Sequence, residues 1–121
     1  MAWDSKTQII TAQSVAGTEV YSSAVSLNPG ELADVQVKAD FPGTPTDNLK
    51  VTVYMSLDDT SETWDNQSTA TLVLMNTQDP AYRSFPVSGC RKFRIGVVRT
   101  GTTDTITVDA WVRKDGVNLG A

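Results

Sequence analysis

The chain has no histidine and a single cysteine among its 121 residues. Without histidine there is no Ser-His-Asp or Cys-His catalysis and no His-ligated metal. One cysteine excludes an internal disulfide and a zinc cluster built from cysteines alone. The patterns G-x-S-x-G, G-x-G-x-x-G and the P-loop are missing too. Long apolar runs are also lacking. The longest, Leu72-Val73-Leu74-Met75, is far too short to span a membrane. These absences remove most enzyme classes, and neither a cofactor nor a metal is expected.

What remains is an ordinary globular composition, 40% hydrophobic and 20% charged. The length suits one domain that buries a core without a staple. A net charge of −4 argues against a general nucleic-acid binder, which needs basic surface. Residues 1–80 hold three basic side chains against eleven acidic ones, and residues 81–121 hold seven basic against three acidic. Either the two halves intermix and pair across strands, or they form a bipolar surface suited to self-assembly or an acidic partner. The opening MAWDSKTQII lacks the apolar core of a signal peptide. The expectation is a protein kept in a cytoplasm unless it leaves with a larger particle. Asn66-Gln67-Ser68 is then a chance match to the glycosylation pattern.

Alternation at period 2 runs through the chain and signals strands. The clearest run places Leu49, Val51, Val53, Met55 and Leu57 on one face, with Lys50, Thr52, Tyr54 and Ser56 opposite. Ala33 to Phe41, Phe93 to Val97 and Ile106 to Val112 alternate in the same way. Tyr21 to Leu27, Thr69 to Met75, Tyr82 to Val87 and Thr7 to Gln13 are weaker runs. Turn residues separate them, notably Asn28-Pro29-Gly30, Pro42-Gly43-Thr44-Pro45, Gln78-Asp79-Pro80 and Ser88-Gly89. No window has helical periodicity. The fold class expected is all-β, a single antiparallel β-sandwich, jelly-roll-like, with seven or eight strands. An immunoglobulin-like sandwich is the second choice. Residues 1–13 read as an N-terminal arm or first strand, and residues 14–121 as the sandwich domain.

Few side chains invite chemistry. Cys90 lies beside Arg91 and Lys92, whose charge would lower its pKa, but it reads as a turn cysteine packed at a strand end. The acidic loop from Asp58 to Asn66 offers oxygen ligands for calcium without EF-hand spacing, and reads as solvated turn residues. Tyr54 and Trp111 fall on the polar faces of their strands, and Trp64 sits in a loop. Exposed aromatic faces bind sugars or partner proteins. In the N-terminal segment Trp3, Ile9 and Ile10 supply apolar anchors, either for a first strand or for an arm that adds to another chain's sheet.

The run LNPGELADVQVKADFPGTPTDNLKVTVYMSLDDTSETWDN, residues 27–66, resembles small β-sandwich proteins of tailed bacteriophage particles. RKFRIGVVRTGTTDTITVDAWVRKDGV, residues 91–117, is similar to their closing hairpin. The stretch from Val51 to Asp65 also resembles carbohydrate-binding jelly rolls, in which a strand ends in a loop bearing a Trp. The phage resemblance implies a non-enzymatic virion structural protein, most like a head decoration (cement) protein. Such a protein binds the outside of the mature capsid, assembles in the host cytoplasm, and has as partners the major capsid protein and itself, as dimer or trimer. No nucleic acid and no membrane are expected as partners. The contact residues expected on that reading are Trp3, Ile9, Ile10, Arg91, Arg94, Arg99 and Trp111. A tail, neck or fibre component is the alternative. A carbohydrate- or host-surface-binding module is another, with Tyr54 and Trp64 in the site.

Overall fold

A computed structural model describes residues 6–57, 64–65 and 70–115. These residues form nine strands and no helix. The strands are β1 (Thr7–Val15), β2 (Val20–Tyr21), β3 (Val25–Ser26), β4 (Leu32–Asp40), β5 (Leu49–Ser56), β6 (Ala70–Leu74), β7 (Ala81–Val87), β8 (Lys92–Arg99) and β9 (Ile106–Asp115). They pair antiparallel in two sheets packed as a β-sandwich. The first sheet has the order β1-β9-β4-β7. The second has the order β2-β8-β5-β6, with β3 also pairing β8. The pairs β5·β6, β4·β7, β2 and β3 with β8, and β1·β9 are nested around one connection.

The alternation explains the core. Ala33, Val35, Val37 and Ala39 of β4 and Ile106, Val108, Ala110 and Val112 of β9 face inward from the first sheet. Leu49, Val51 and Val53 of β5 and Phe93, Ile95 and Val97 of β8 meet them from the second. Most are β-branched, which suits a pleated surface buried on one side. Because β8 and β9 are central strands, the basic end of the sequence is threaded through the acidic part. Arg113 faces Asp34 and Lys38 faces Asp109 across β4 and β9, and Lys114 reaches Glu31 at 3.9 Å. The charges intermix.

Three details depart from plain alternation. The run Tyr21 to Leu27 is two strands, which makes nine rather than eight. Three residues, 22–24, stand opposite two of β8 between the pairs Tyr21↔Gly96 and Val25↔Phe93, a one-residue bulge. Ser22 holds it: the Ile95 N–H donates to Ser22 Oγ at 3.0 Å, while the Ser22 N–H donates to the Ile95 carbonyl at 2.9 Å. A side-chain oxygen thus takes the place of a ladder carbonyl.

β1 is likewise irregular, with register shifts between Gln8 and Ile10 and between Ile10 and Gln13. Ala12 has φ of 40°. Asp109 Oδ1 accepts the Ala12 N–H and the Gln8 amide, both at 2.9 Å. The shift lets consecutive Ile9 and Ile10 both bury their side chains. Finally, Leu57 is 77% exposed rather than on the core face. The β5–β8 pairing ends at Ser56↔Lys92, so Leu57 lies past the edge of the core.

At one end of the sandwich two crossovers between the sheets lock together. The Thr46 and Asp47 N–H groups donate to Asp104 Oδ2, both at 2.8 Å. The Thr103 and Asp104 N–H groups donate to Asp47 Oδ2 at 2.9 and 2.7 Å. Gly101 is required beside this exchange, because a Cβ there would collide with the Asp47 carboxylate. Arg99 closes the same loop, donating from Nε to the Gly101 carbonyl at 3.1 Å and from Nη1 to the Asp104 carbonyl at 2.9 Å.

The Asp104 amide holds the Asp47 carboxyl below its ordinary value of 3.8, aided by Thr103, Arg99 and Thr46 and opposed by burial. A lowered carboxylate pKa adds stability that is present above the unfolded value and lost as pH falls through the folded one. Denaturation followed from neutral pH into acid should therefore show stability falling below about pH 4. Asp47→Asn should be less stable at neutral pH and flatter in acid, and Gly101→Ala should lower the thermal midpoint. By comparison Phe93→Ala, in the centre of the core, should cost about 3–5 kcal/mol.

Candidate binding faces

Each sheet has an outer face, and each carries aromatic side chains. On the first sheet Gln8, Trp111, Gln36 and Ser84 line up across β1, β9, β4 and β7. Trp111 is half-buried, and the Lys6 ammonium lies 4.9 Å from its ring centroid. A shallow depression of about 430 Å³ runs beside it, bordered by Lys6, Asp34, Pro86, Trp111 and Arg113. Polar side chains, Gln8, Gln36 and Ser84, lie beside the ring, and the depression is shallow. Such a face accepts a side chain or loop of another protein more readily than it encloses a small substrate.

On the second sheet the cluster is denser. Gly96 of β8 has no side chain, and the Glu19 carboxylate occupies the space above it. Glu19 accepts the Tyr21 hydroxyl at 2.8 Å and the Tyr54 hydroxyl at 3.1 Å to either oxygen. The two tyrosine rings meet edge to face at 5.9 Å. Arg94, the cross-strand neighbour of Tyr54, lays its guanidinium 3.9 Å from the Tyr21 ring centroid, 4.8 Å from Trp64 and 6.0 Å from Tyr54.

The residues singled out from the sequence are scattered by the fold. Trp3 lies outside the described residues. Ile9 and Ile10 are not surface anchors, because the bulge of β1 turns both into the protein's own core. Arg91, Arg94 and Arg99 do not form one basic stripe. Arg91 donates to the Leu27 carbonyl at 3.2 Å at one end of β8, and Arg99 serves the loop at the other end. Only Arg94 presents its charge within an aromatic group. Tyr54 and Trp64 do come together, through Arg94.

Cys90 is buried, and burial pushes its thiol up, so the adjacent charges do not activate it. Of the acidic loop 58–66, only Trp64 and Asp65 are among the described residues. Glu19, Tyr21 and Lys6 were not singled out. One signal was available: a glycine inside an alternating strand marks a close approach, and Gly96 is such a glycine.

Compared with protein-family models and with curated proteins, the chain matches none.

The hydrogen bond to Glu19 raises the Tyr21 pKa above its ordinary 10.0, with burial and the Glu19 charge adding and Arg94 opposing. Burial raises that of Tyr54, with Glu19 and Tyr21 adding and Arg94 opposing. A raised pKa means stability fully present below the unfolded value and lost as pH rises through the folded one. Spectrophotometric titration should show two of the 3 tyrosines ionising late, with stability falling in the same range. Glu19→Ala should lower both, and Tyr21 more completely, because Tyr54 keeps its burial.

Proposed function

We propose that this chain is a non-enzymatic virion structural protein of a tailed bacteriophage, a decoration protein that binds the outside of the mature head. Its partners are major capsid subunits and further copies of itself. The observation that carries the reading is the first sheet's outer face, where half-buried Trp111 sits in a shallow depression flanked by Lys6 and Arg113. A large ring with charges at its margin fits a protein–protein anchor, since Trp and Arg dominate contact energetics.

Other observations support it. We read the nested strand order as a jelly roll, counting β2 and β3 as one strand interrupted by the Ser22 bulge. That wrap occurs in viral capsid and lectin domains. Asp47 and Asp104 are occupied in accepting backbone N–H groups, and the Cys90 thiol is buried. Copies associated with one another, each with one such anchor, would gain durable attachment by engaging several lattice sites at once. Binding only the expanded lattice stabilises that state by mass action.

The test is the copy number of this chain in purified particles, measured by quantitative mass spectrometry against the major capsid protein. A ratio within a few-fold of the capsid subunit is expected. A ratio far lower moves the chain to the tail or neck, and absence from the particle overturns the reading. Trp111→Ala should reduce occupancy by about tenfold or more, as loss of an interface anchor does, while the thermal midpoint stays close to that of the parent chain.

A further inference from the structure

The second sheet's outer face holds a cation whose bonding is incomplete. Among the described residues no carboxylate pairs with Arg94, and its Nε is buried without a hydrogen-bond acceptor. The guanidinium is held instead by rings, at 3.9 Å from Tyr21 and 4.8 Å from Trp64. Stacking engages the faces of a guanidinium and leaves its in-plane N–H groups for an acceptor. It also fixes the plane, so less freedom is lost when an acceptor arrives. A ring-held arginine is thus prepared for a planar anion, and a carboxylate matches its fork in two parallel bonds.

Two neighbours narrow the ligand further. Tyr21 is 44% exposed and Trp64 is half-buried, so both have apolar ring surface open to solvent. The Glu19 carboxylate takes two phenolic donors, and a carboxylate has about four acceptor sites. A phosphate or a simple carboxylate would meet Arg94 but gain nothing from the rings and offer no hydroxyl to Glu19. A neutral sugar would use the rings and Glu19 but leave Arg94 unpaired. A pyranose that carries a carboxylate satisfies all three groups. Its C–H face covers a ring, its carboxylate meets Arg94, and its hydroxyls donate to Glu19.

We propose that Glu19, Tyr21, Tyr54, Trp64 and Arg94 form a binding site for a carboxylated sugar, a uronic or sialic acid unit of a glycan. The site lies on the opposite side of the sandwich from Trp111. A copy docked through Trp111 would therefore turn this cluster away from its support. The inference does not rest on the particle reading, because the isolated full-length chain is sufficient to test it.

The experiment is a nuclear magnetic resonance titration of the ¹⁵N-labelled chain with trigalacturonic acid and, separately, with sialyllactose. Acetate, inorganic phosphate and maltotriose are the comparisons. The Arg94 Nε–H, the Trp64 indole N–H and the Gly96 amide are the signals to follow. At least one acidic sugar should shift all three saturably, and which one does so identifies the source as uronic or sialic. Arg94→Gln should weaken that binding by about tenfold or more, the loss of a charge-assisted hydrogen bond. Glu19→Gln should weaken it less while the sandwich stays folded by circular dichroism, and it serves as the reporter should Arg94→Gln not fold. An equal response to acetate or phosphate, an equal response to maltotriose, or no shift with either acidic sugar would overturn the proposal.

Discussion

The exchange between Asp47 and Asp104 is the constraint on which the sandwich depends. It joins the crossover from β4 to β5 to the crossover from β8 to β9. β4 and β9 are neighbours in the first sheet, and β5 and β8 are neighbours in the second. Of the four backbone N–H groups, those of Asp47 and Asp104 would otherwise lie buried without acceptors where the chain leaves both ladders at once. Unsatisfied groups of that kind are costly, and here each carboxylate caps the other crossover. The two central pairs of strands are thereby fixed relative to each other, and both outer faces inherit their geometry from that alignment.

The outer faces differ because one small residue differs. Along β8 the side chains pointing away from the core are Lys92, Arg94, Gly96 and Val98, and only Gly96 leaves a gap. The chain just before β2 fills it with Glu19. The phenols of Tyr21 and Tyr54 converge on that carboxylate, and Arg94 settles on the rings so gathered. The first sheet has no such gap beside Trp111, whose neighbours across the sheet are Gln8 and Gln36. There the ring stays comparatively isolated, touched by Lys6. A layered cluster on one side and separate rings, Trp111 and Tyr82, on the other suit different partners.

Much of this fold was legible as alternation, because one-sided burial imposes a period of 2 on a strand. The inward sets of β4, β5, β8 and β9 are the alternating apolar positions, apart from the margin at Met55 and Leu57. The bulges were not legible. A bulge depends on which side-chain oxygen reaches a backbone group across the sheet, as Ser22 does for Ile95 and Asp109 does for Ala12. Neither pairing has a local signature, and each changes which neighbouring residues face inward. That is why Ile9 and Ile10 resembled an exposed apolar arm yet are core. The candidate sites were legible in part: Tyr54, Trp64, Arg94 and Trp111 stood out by residue type. Their grouping did not, since it brings Glu19 and Tyr21 to residues far along the chain. Arg91, just before β8, and Arg94 and Arg99 within it show the same limit, because strand ends and strand middle serve different neighbours.

The sheet edges bear on how this chain can meet another. An exposed ladder edge is a template for a further strand, and proteins that avoid such pairing interrupt it. β1 has two register shifts and a positive φ at Ala12, so it offers no regular run of unpaired groups. β7 contains Pro86, which has no N–H to donate. β6 has 5 residues, and β2 and β3 have 2 each. Every edge among the described strands is therefore short, bulged or interrupted by proline. Strand addition between copies, the role an N-terminal arm would play, is disfavoured at each of them. The two outer faces remain available for contacts, with Trp111 and the Arg94 cluster on opposite sides of one rigid core. A chain so built can join a surface on one side and a ligand on the other without rearranging either sheet.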